Sequence, residues 1–121
     1  MRINLFGAGY VGLVTAACLA EHGNQVLCID IDQEKVKRLK QGECPIHEPD
    51  LPALLQKNLA AGRLHFSTDP QQGVEHGFYQ FITVGTPQDK DGSADLTYAL
   101  DVARYIGKTL TEPKLIINKS T

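Results

Sequence analysis

The chain has 121 residues, of which 42% are hydrophobic and 21% charged, with 12 Lys and Arg against 14 Asp and Glu. That apolar share suits one hydrophobic core of ordinary size, so the composition excludes a disordered chain. A formal charge of −2 argues against a dedicated nucleic-acid-binding protein, because such proteins neutralise phosphates with Lys and Arg.

Short apolar runs alternate with helical periodicity in the first third of the chain. Residues 3–6 predict a first strand, and residues 25–29 predict a second. Asp32 is the expected N-cap of a second helix, which runs to Lys40. Between the two strands, spacings of three and four residues predict a helix whose inward face carries Tyr10, Leu13, Val14, Ala17 and Cys18.

The same alternation continues to the end of the sequence. Three prolines between residues 45 and 52 exclude a helix there, and a third helix is predicted directly afterwards, to residue 59. Strands are predicted at 64–66, 78–84 and 115–117, with Gln80 standing where an apolar residue is expected. Asp69 and Pro70 open a brief helix, and another is marked by Leu96, Leu100, Ala103 and Gly107. Such βα units indicate a parallel sheet.

A glycine fingerprint follows the first strand. Gly7, Gly9 and Gly12 match G-x-G-x-x-G between a predicted strand and a predicted helix. Gly7 permits the tight turn, Gly9 lets a pyrophosphate approach the backbone, and Gly12 lets helix and strand pack closely. The helix N-terminus offers unpaired N–H groups to the phosphates. A purely structural glycine turn is the alternative.

Asp30 supplies the second half of a dinucleotide site. It ends the second predicted strand, 18 residues after Gly12, where about 20 is usual. A carboxylate there accepts hydrogen bonds from the adenosine ribose and repels a 2′-phosphate, which favours NAD over NADP. The alternative is a turn or capping aspartate. We therefore expect an α/β fold with a Rossmann-type, doubly wound parallel sheet of strand order 3-2-1-4-5, truncated after the fifth strand.

Two further residues face the expected cleft. Lys35, in the first turn of the second helix, is within reach of the adenine side of a nucleotide, and the alternative is a solvated lysine. Thr86 follows Gly85 after the fourth strand, where its hydroxyl would face the cleft; the alternative is an ordinary turn threonine.

Other features of the sequence predict no catalytic or metal site. The four histidines are scattered, and residues 89–92 lack the spacing and closing glutamate of a calcium loop. No run approaches about 18 apolar residues, and three glycines interrupt the apolar residues 1–20, which disfavours a signal peptide. An odd number of cysteines favours a reduced, cytoplasmic protein. Cys18 and Cys28 are expected to be buried and Cys44 to lie in a loop.

The sequence resembles the UDP-glucose/GDP-mannose dehydrogenase family over essentially its whole length, and within it the members that oxidise UDP-glucose. Asp50 departs from the family pattern, where glycine is usual, and so does His47, where tyrosine is common. The resemblance is carried by residues 7–14 (GAGYVGLV), 28–32 (CIDID), 42–51 (GECPIHEPDL), 84–87 (VGTP), 92–96 (GSADL) and 119–121 (KST).

The resemblance implies a function and a set of cofactor residues. Family members oxidise C6 of a nucleotide sugar twice with two molecules of NAD+, through a cysteine-bound intermediate, so NAD is the implied cofactor. Tyr10 and Val11 would line the cofactor loop, with Asp30 at the ribose and Lys35 in the same region. Thr86 would line the cofactor cleft. Thr121 would lie near the nicotinamide, in a supporting role.

The family's catalytic cysteine and its supporting residues lie downstream of this stretch, and none of the three cysteines here matches that motif. We therefore expect residues 1–121 to be the NAD-binding domain of a longer enzyme, without its central helix and C-terminal substrate domain, and to be inactive alone. The longer enzyme would be a homodimer and the fragment a monomer. The alternatives are a UDP-N-acetyl-sugar or GDP-mannose dehydrogenase, or a stand-alone Rossmann module that senses nucleotides.

Overall fold

The computed structural model describes residues 1–85 and 97–119. Its five strands are β1 (Arg2–Phe6), β2 (Gln25–Ile29), β3 (Leu64–Ser67), β4 (Tyr79–Ile82) and β5 (Leu115–Asn118). Its five helices are α1 (Tyr10–Glu21), α2 (Gln33–Lys40), α3 (Leu51–Ala60), α4 (Pro70–His76) and α5 (Thr97–Thr109). Within these ranges, none of the helices combines the length and the apolar character needed to cross a bilayer.

The strands form one parallel sheet in the order β3-β2-β1-β4-β5, which confirms the predicted order and fold class. In the register, Phe6 of β1 stands opposite Ile29 of β2 and Ile82 of β4. The carboxyl ends of three neighbouring strands therefore meet at one edge of the sheet. This edge receives the glycine loop, because that loop follows β1 directly.

Two hydrophobic clusters cover the two faces of the sheet. One contains Leu5 and Cys28 with buried residues of α1, α2 and α3. The other contains Phe6 and Ile29 with buried residues of α4 and α5. Side chains of consecutive strand residues point to opposite faces, so a strand buried on both sides reads as a continuous apolar run. This is the doubly wound arrangement that the sequence predicted.

The structure corrects the inward face of α1. Tyr10 is 56% exposed and Cys18 is also exposed, so the expectation that Cys18 is buried was wrong. The residues that α1 buries are Gly12, Leu13, Ala16, Ala17 and Ala20. Apart from Leu13, the residues that face the sheet are small because α1 packs very close to it, and the bulkier Tyr10 is turned outward.

The inward face of α5 also differs from the expectation. Leu100 and Gly107 are exposed, whereas Ala99, Val102 and Ile106 are buried in the second cluster. Leu96, the first residue of the predicted face, lies outside the described residues. The existence of the helix is confirmed, and its rotation about its own axis is set by α4 and β4, the elements it contacts.

Gln80 is fully buried in β4, where an apolar residue was expected. Its side-chain oxygen accepts a hydrogen bond of 2.9 Å from Asn4 of β1. Its side-chain nitrogen lies 3.1, 3.2 and 3.0 Å from the carbonyl oxygens of Gly73, Val74 and Gly77. Gln80 thereby ties the carboxyl end of α4 to the middle of the sheet.

Candidate dinucleotide-binding site

Gly7 makes the turn that leads from β1 into the glycine loop. Its φ of 111° lies in the left-handed region that side chains disfavour. A Cβ here would stand 2.8 Å from backbone atoms of Thr83 and Val84. The Gly7 amide donates to the Ile29 carbonyl over 2.7 Å. The turn is therefore held tightly between β2 and β4, with no room for a side chain.

The other two glycines differ in the space around them. A Cβ on Gly12 would overlap the carbonyl oxygen of Gly7, so this glycine is required for α1 to approach the end of β1. A Cβ on Gly9 would meet no atom within 4 Å. The packing of the described residues therefore does not require glycine at position 9, and the open space is available to a ligand.

The N-terminus of α1 points its amides into that space. Gly9 is the N-cap and no side chain caps the helix there, so the first-turn amides of Tyr10 and Val11 are offered to a ligand. A helix N-terminus also carries a partial positive charge. Open space beside uncapped amides fits the pyrophosphate of a dinucleotide, which is the chemistry predicted for Gly7, Gly9 and Gly12.

Asp30 lies beside the glycine loop, half-buried, directly after β2. Its Oδ2 accepts a hydrogen bond of 2.9 Å from the amide of Ala8, and its Oδ1 accepts one of 2.9 Å from the amide of Asp32. Lys35 Nζ lies 3.5 Å from Oδ2. The carboxylate is thus oriented by the loop itself and balanced by one ammonium group.

Asp32 caps α2 through a hydrogen bond of 3.1 Å from the amide of Lys35, as predicted. Because this cap starts α2 immediately after Asp30, it brings Lys35 back over the carboxylate. The structure therefore joins Asp30 and Lys35 to the glycine loop in one group.

Thr83, for which the sequence predicted no role, and Cys28 hold the loop in place. The buried hydroxyl of Thr83 lies 3.0 Å from the carbonyl oxygen of Phe6 and 2.9 Å from that of Gly7. The thiol of Cys28 donates to the same Gly7 carbonyl over 3.6 Å, and burial raises the pKa of this thiol well above its usual range. Cys28 is therefore an inert packing residue, as expected. The available signal for Thr83 was a hydroxyl near the carboxyl end of a predicted strand.

A small apolar cavity of about 150 Å³ opens beside Asp30. Ile31, between two aspartates, is 69% exposed at its rim. Pro70, the first residue of α4, and Tyr105 of α5 line the opposite side. An apolar slot next to a carboxylate suits a purine ring beside its ribose. The available sequence signal for it was an isoleucine directly after Asp30, outside the predicted strand.

Tyr10 lies on the outer side of α1, where it joins the proline-rich loop to the helix. Its hydroxyl donates a hydrogen bond of 2.6 Å to Glu48 Oε1. This bond to the carboxylate raises the pKa of Tyr10 above its ordinary value. The Tyr10 side chain is therefore turned toward the proline-rich loop, while its backbone amide stays in the first turn of α1 beside the open space at Gly9.

Two predicted cofactor residues, Thr86 and Thr121, lie outside the described residues. Gly85, which precedes Thr86, comes shortly after β4, and Asn118 is the last residue of β5. Both strands are parallel to β1 and end at the glycine-loop edge of the sheet. Among residues 1–85 and 97–119, no three His, Cys, Asp or Glu side chains are grouped so that they could hold a metal ion.

Comparison with known proteins identifies relatives of this chain. The model of the NAD-binding domain of the UDP-glucose/GDP-mannose dehydrogenase family matches residues 1–121. A UDP-glucose 6-dehydrogenase of Pseudomonas aeruginosa is 50% identical over 121 residues, which are 100% of this chain and 27% of that protein.

Two solved structures are similar to the fold over nearly its whole length. A ternary complex of GDP-mannose dehydrogenase from Pseudomonas aeruginosa has a TM-score of 0.95 and 42% identity, covering 100% of this chain and 28% of its own. A UDP-glucose dehydrogenase from Pyrobaculum islandicum has a TM-score of 0.92 and 38% identity, with coverages of 98% and 28%. The chain thus spans little more than a quarter of these proteins.

Proposed function

The chain belongs to the UDP-glucose/GDP-mannose dehydrogenase family, as its NAD-binding domain, and from that premise we propose that it holds the NAD+ of an enzyme that oxidises UDP-glucose to UDP-glucuronate. One observation carries the proposal. The uncapped N-terminus of α1 faces open space at Gly9, with the carboxylate of Asp30 held beside the same loop.

Each part of a dinucleotide has a matching group in the chain. The amides of Tyr10 and Val11 would bind the pyrophosphate, and Asp30 would accept hydrogen bonds from the adenosine ribose. Lys35 would hold the charge of Asp30 in balance, since its ammonium lies 3.5 Å from the carboxylate. The cavity lined by Ile31 would receive the adenine. We keep Thr86 and Thr121 as proposed contacts on the nicotinamide side.

The reaction itself needs groups beyond those of this site. When bound, NAD+ accepts a hydride from C6 of the sugar. The residues described here would position the cofactor. The nucleophilic cysteine and the sugar-binding residues would come from the rest of a longer polypeptide, of which residues 1–121 would be the cofactor-binding domain. This proposal is supported by relatives in which the matching part is little more than a quarter of the protein.

Gly9→Val tests the cofactor site. The side chain would fill the space meant for the pyrophosphate, so NAD+ affinity should fall at least about 100-fold, because charge-assisted hydrogen bonds are lost at about 1.5–3 kcal/mol each. The fold should survive, since a Cβ here meets no atom within 4 Å and the φ of −80° is ordinary. The loss of N-cap preference should cost about 1 kcal/mol at most.

Calorimetric titration with NAD+ and urea unfolding measure the two effects separately. Gly107→Val is the matched control, because Gly107 is exposed on α5 and its Cβ also meets no atom within 4 Å. The control should bind NAD+ as the parent chain does. Unchanged NAD+ affinity in a folded Gly9→Val variant would refute the pyrophosphate placement.

The choice of sugar nucleotide is tested in the longer polypeptide. NADH formation is followed with UDP-glucose, GDP-mannose or a UDP-N-acetyl sugar as the sole substrate. A kcat/KM for UDP-glucose at least about tenfold above the other two supports the proposal. A preference for either of the others would reassign the substrate and leave the cofactor site unaffected.

A further inference from the structure

A cavity of about 410 Å³ opens at the amino-terminal edge of the sheet, opposite the glycine-loop edge. Arg2 and Gln25, the first residues of β1 and β2, face each other in the register at this edge. We call the cavity the basic groove, and its lining consists of Arg2, Gln25, Leu27, His65, Gln72 and His76. Three of these six residues are basic and none is acidic.

His76, the last residue of α4, is fixed in one orientation by the groove. One ring nitrogen, Nε2, lies 3.0 Å from the carbonyl oxygen of Gln25. A carbonyl oxygen only accepts, so Nε2 carries the hydrogen. The other nitrogen, Nδ1, lies 3.4 Å from a guanidinium nitrogen of Arg2. Nδ1 therefore presents a lone pair to Arg2 when the ring is neutral.

The surroundings of His76 disfavour its protonation. Burial is the main cause that lowers its pKa, and the charges of Arg2, His65 and Lys114 lower it further. Two carboxylates, Glu75 and Glu112, line the adjoining cavity together with Arg2 and His76. Glu112 is paired with Lys114 over 3.2 Å. Among the described residues, Arg2 forms no ion pair with either carboxylate, so its permanent charge stays available to a ligand in the groove.

We propose that the basic groove is a second binding site, for a small phosphate dianion held between Arg2 and His76. The guanidinium presents the paired donors that suit phosphate oxygens. Once protonated, His76 can supply a third donor at Nδ1, since an anion placed between the two groups offsets the repulsion from Arg2 that helps to keep the ring neutral. The volume of the groove leaves room for a small organic group on the phosphate.

This arrangement couples ligand binding to proton uptake. In the free groove, protonated Nδ1 would face the guanidinium of Arg2, with His65 and Lys114 also nearby. In the occupied groove it would donate to a phosphate oxygen. Binding therefore raises the pKa of His76, and the chain takes up a proton as the dianion binds.

In the test, a phosphate probe is titrated into the chain at constant ionic strength. The chain is first saturated with NAD+, so that the probe does not compete for the cofactor site. Inorganic phosphate and glycerol 3-phosphate are the two probes, and chloride is the control for general screening. Nitrogen-15 NMR of the imidazole rings should show His76 gaining a proton at Nδ1 as either phosphate binds. Tighter binding of glycerol 3-phosphate identifies a phosphate monoester as the ligand class, whereas equal binding identifies free phosphate.

Arg2→Gln removes the charge at an exposed position and should weaken phosphate binding at least about tenfold. Arg104→Gln, on the exposed side of α5, is the matched control and should leave it unchanged. Arg2→Lys should restore part of the affinity, because it keeps the charge and loses the paired donors. Equal phosphate affinity in Arg2→Gln and the parent, or no protonation of His76 on binding, would overturn the proposal.

Discussion

Gln80→Met is the sharpest test of how the described part of the fold is held together. The substitution keeps the length of the side chain and removes its polar atoms from a fully buried site. In the structure, Gln80 accepts a hydrogen bond from Asn4 and donates to carbonyl groups at the end of α4. Because α4 begins at Pro70, which lines the cavity beside Asp30, this network also supports the proposed cofactor site.

The expected loss of stability follows from the number of hydrogen bonds that the Gln80 side chain can form. The side-chain nitrogen lies within 3.2 Å of three carbonyl oxygens but carries only two hydrogens. With the bond from Asn4, about three net hydrogen bonds are lost, at about 1 kcal/mol each. The stranded Asn4 amide adds about 1–3 kcal/mol, and burial of the thioether returns about 1 kcal/mol. The free energy of unfolding should therefore fall by about 3–5 kcal/mol, a large share of an ordinary domain's stability.

Urea unfolding of four chains measures this effect: the parent, Gln80→Met, Asn4→Val and the double variant. Replacing both partners leaves no polar side chain stranded, so the double variant should be more stable than Gln80→Met by at least about 1 kcal/mol. Gln33→Met, at an exposed glutamine, is the control and should change stability by about 0.5 kcal/mol or less. A Gln80→Met cost below about 1 kcal/mol, or strict additivity of the two substitutions, would refute the reasoning.

Three further substitutions test the site. Asp30→Asn removes the charge that repels a 2′-phosphate and should lower the preference for NAD over NADP about tenfold; an unchanged ratio in calorimetric titrations contradicts the ribose role. Gly12→Ala forces a side chain into the Gly7 carbonyl and should cost at least about 2 kcal/mol in urea unfolding, so parent-like stability would show that α1 can move away. Glu48→Gln removes the carboxylate that raises the pKa of Tyr10, so ultraviolet titration should find that pKa closer to its ordinary value; no downward shift would show that the bond is absent in solution.

Much of the fold could be predicted from the sequence because its signals are local. The alternation of apolar runs and helical spacing identified the five strands, and the glycine fingerprint placed the tight turn at Gly7. The cap at Asp32 was also correct, since capping depends on residues within one turn of a helix. The bounds of β4 were predicted too long, at 78–84 instead of Tyr79–Ile82.

The helix faces could not be predicted, because they depend on what each helix packs against. Periodicity showed that Tyr10 and Cys18 share one face of α1, but an apolar stripe does not say how close the helix lies to the sheet. Contact between Gly12 and the Gly7 turn draws α1 so near that, apart from Leu13, the residues it buries are small. The hydroxyl of Thr83 was likewise unremarkable in sequence, since its partners lie at residues 6 and 7.

The sequence by itself determined the order of elements, the parallel sheet and the residue types of a dinucleotide site, since each of these depends on short-range spacing. Only the tertiary structure decided that the carboxylate of Asp30 accepts a hydrogen bond from the amide of Ala8 and that Arg2 contacts His76. It also decided that the side chain of Gln80 finds hydrogen-bond partners within a buried strand. Asp30 and Ala8 are 22 residues apart, Arg2 and His76 are 74 apart, and Gln80 and its partner Asn4 are 76 apart. The sheet register brings such groups together, and no local pattern records which distant partner a polar side chain will find.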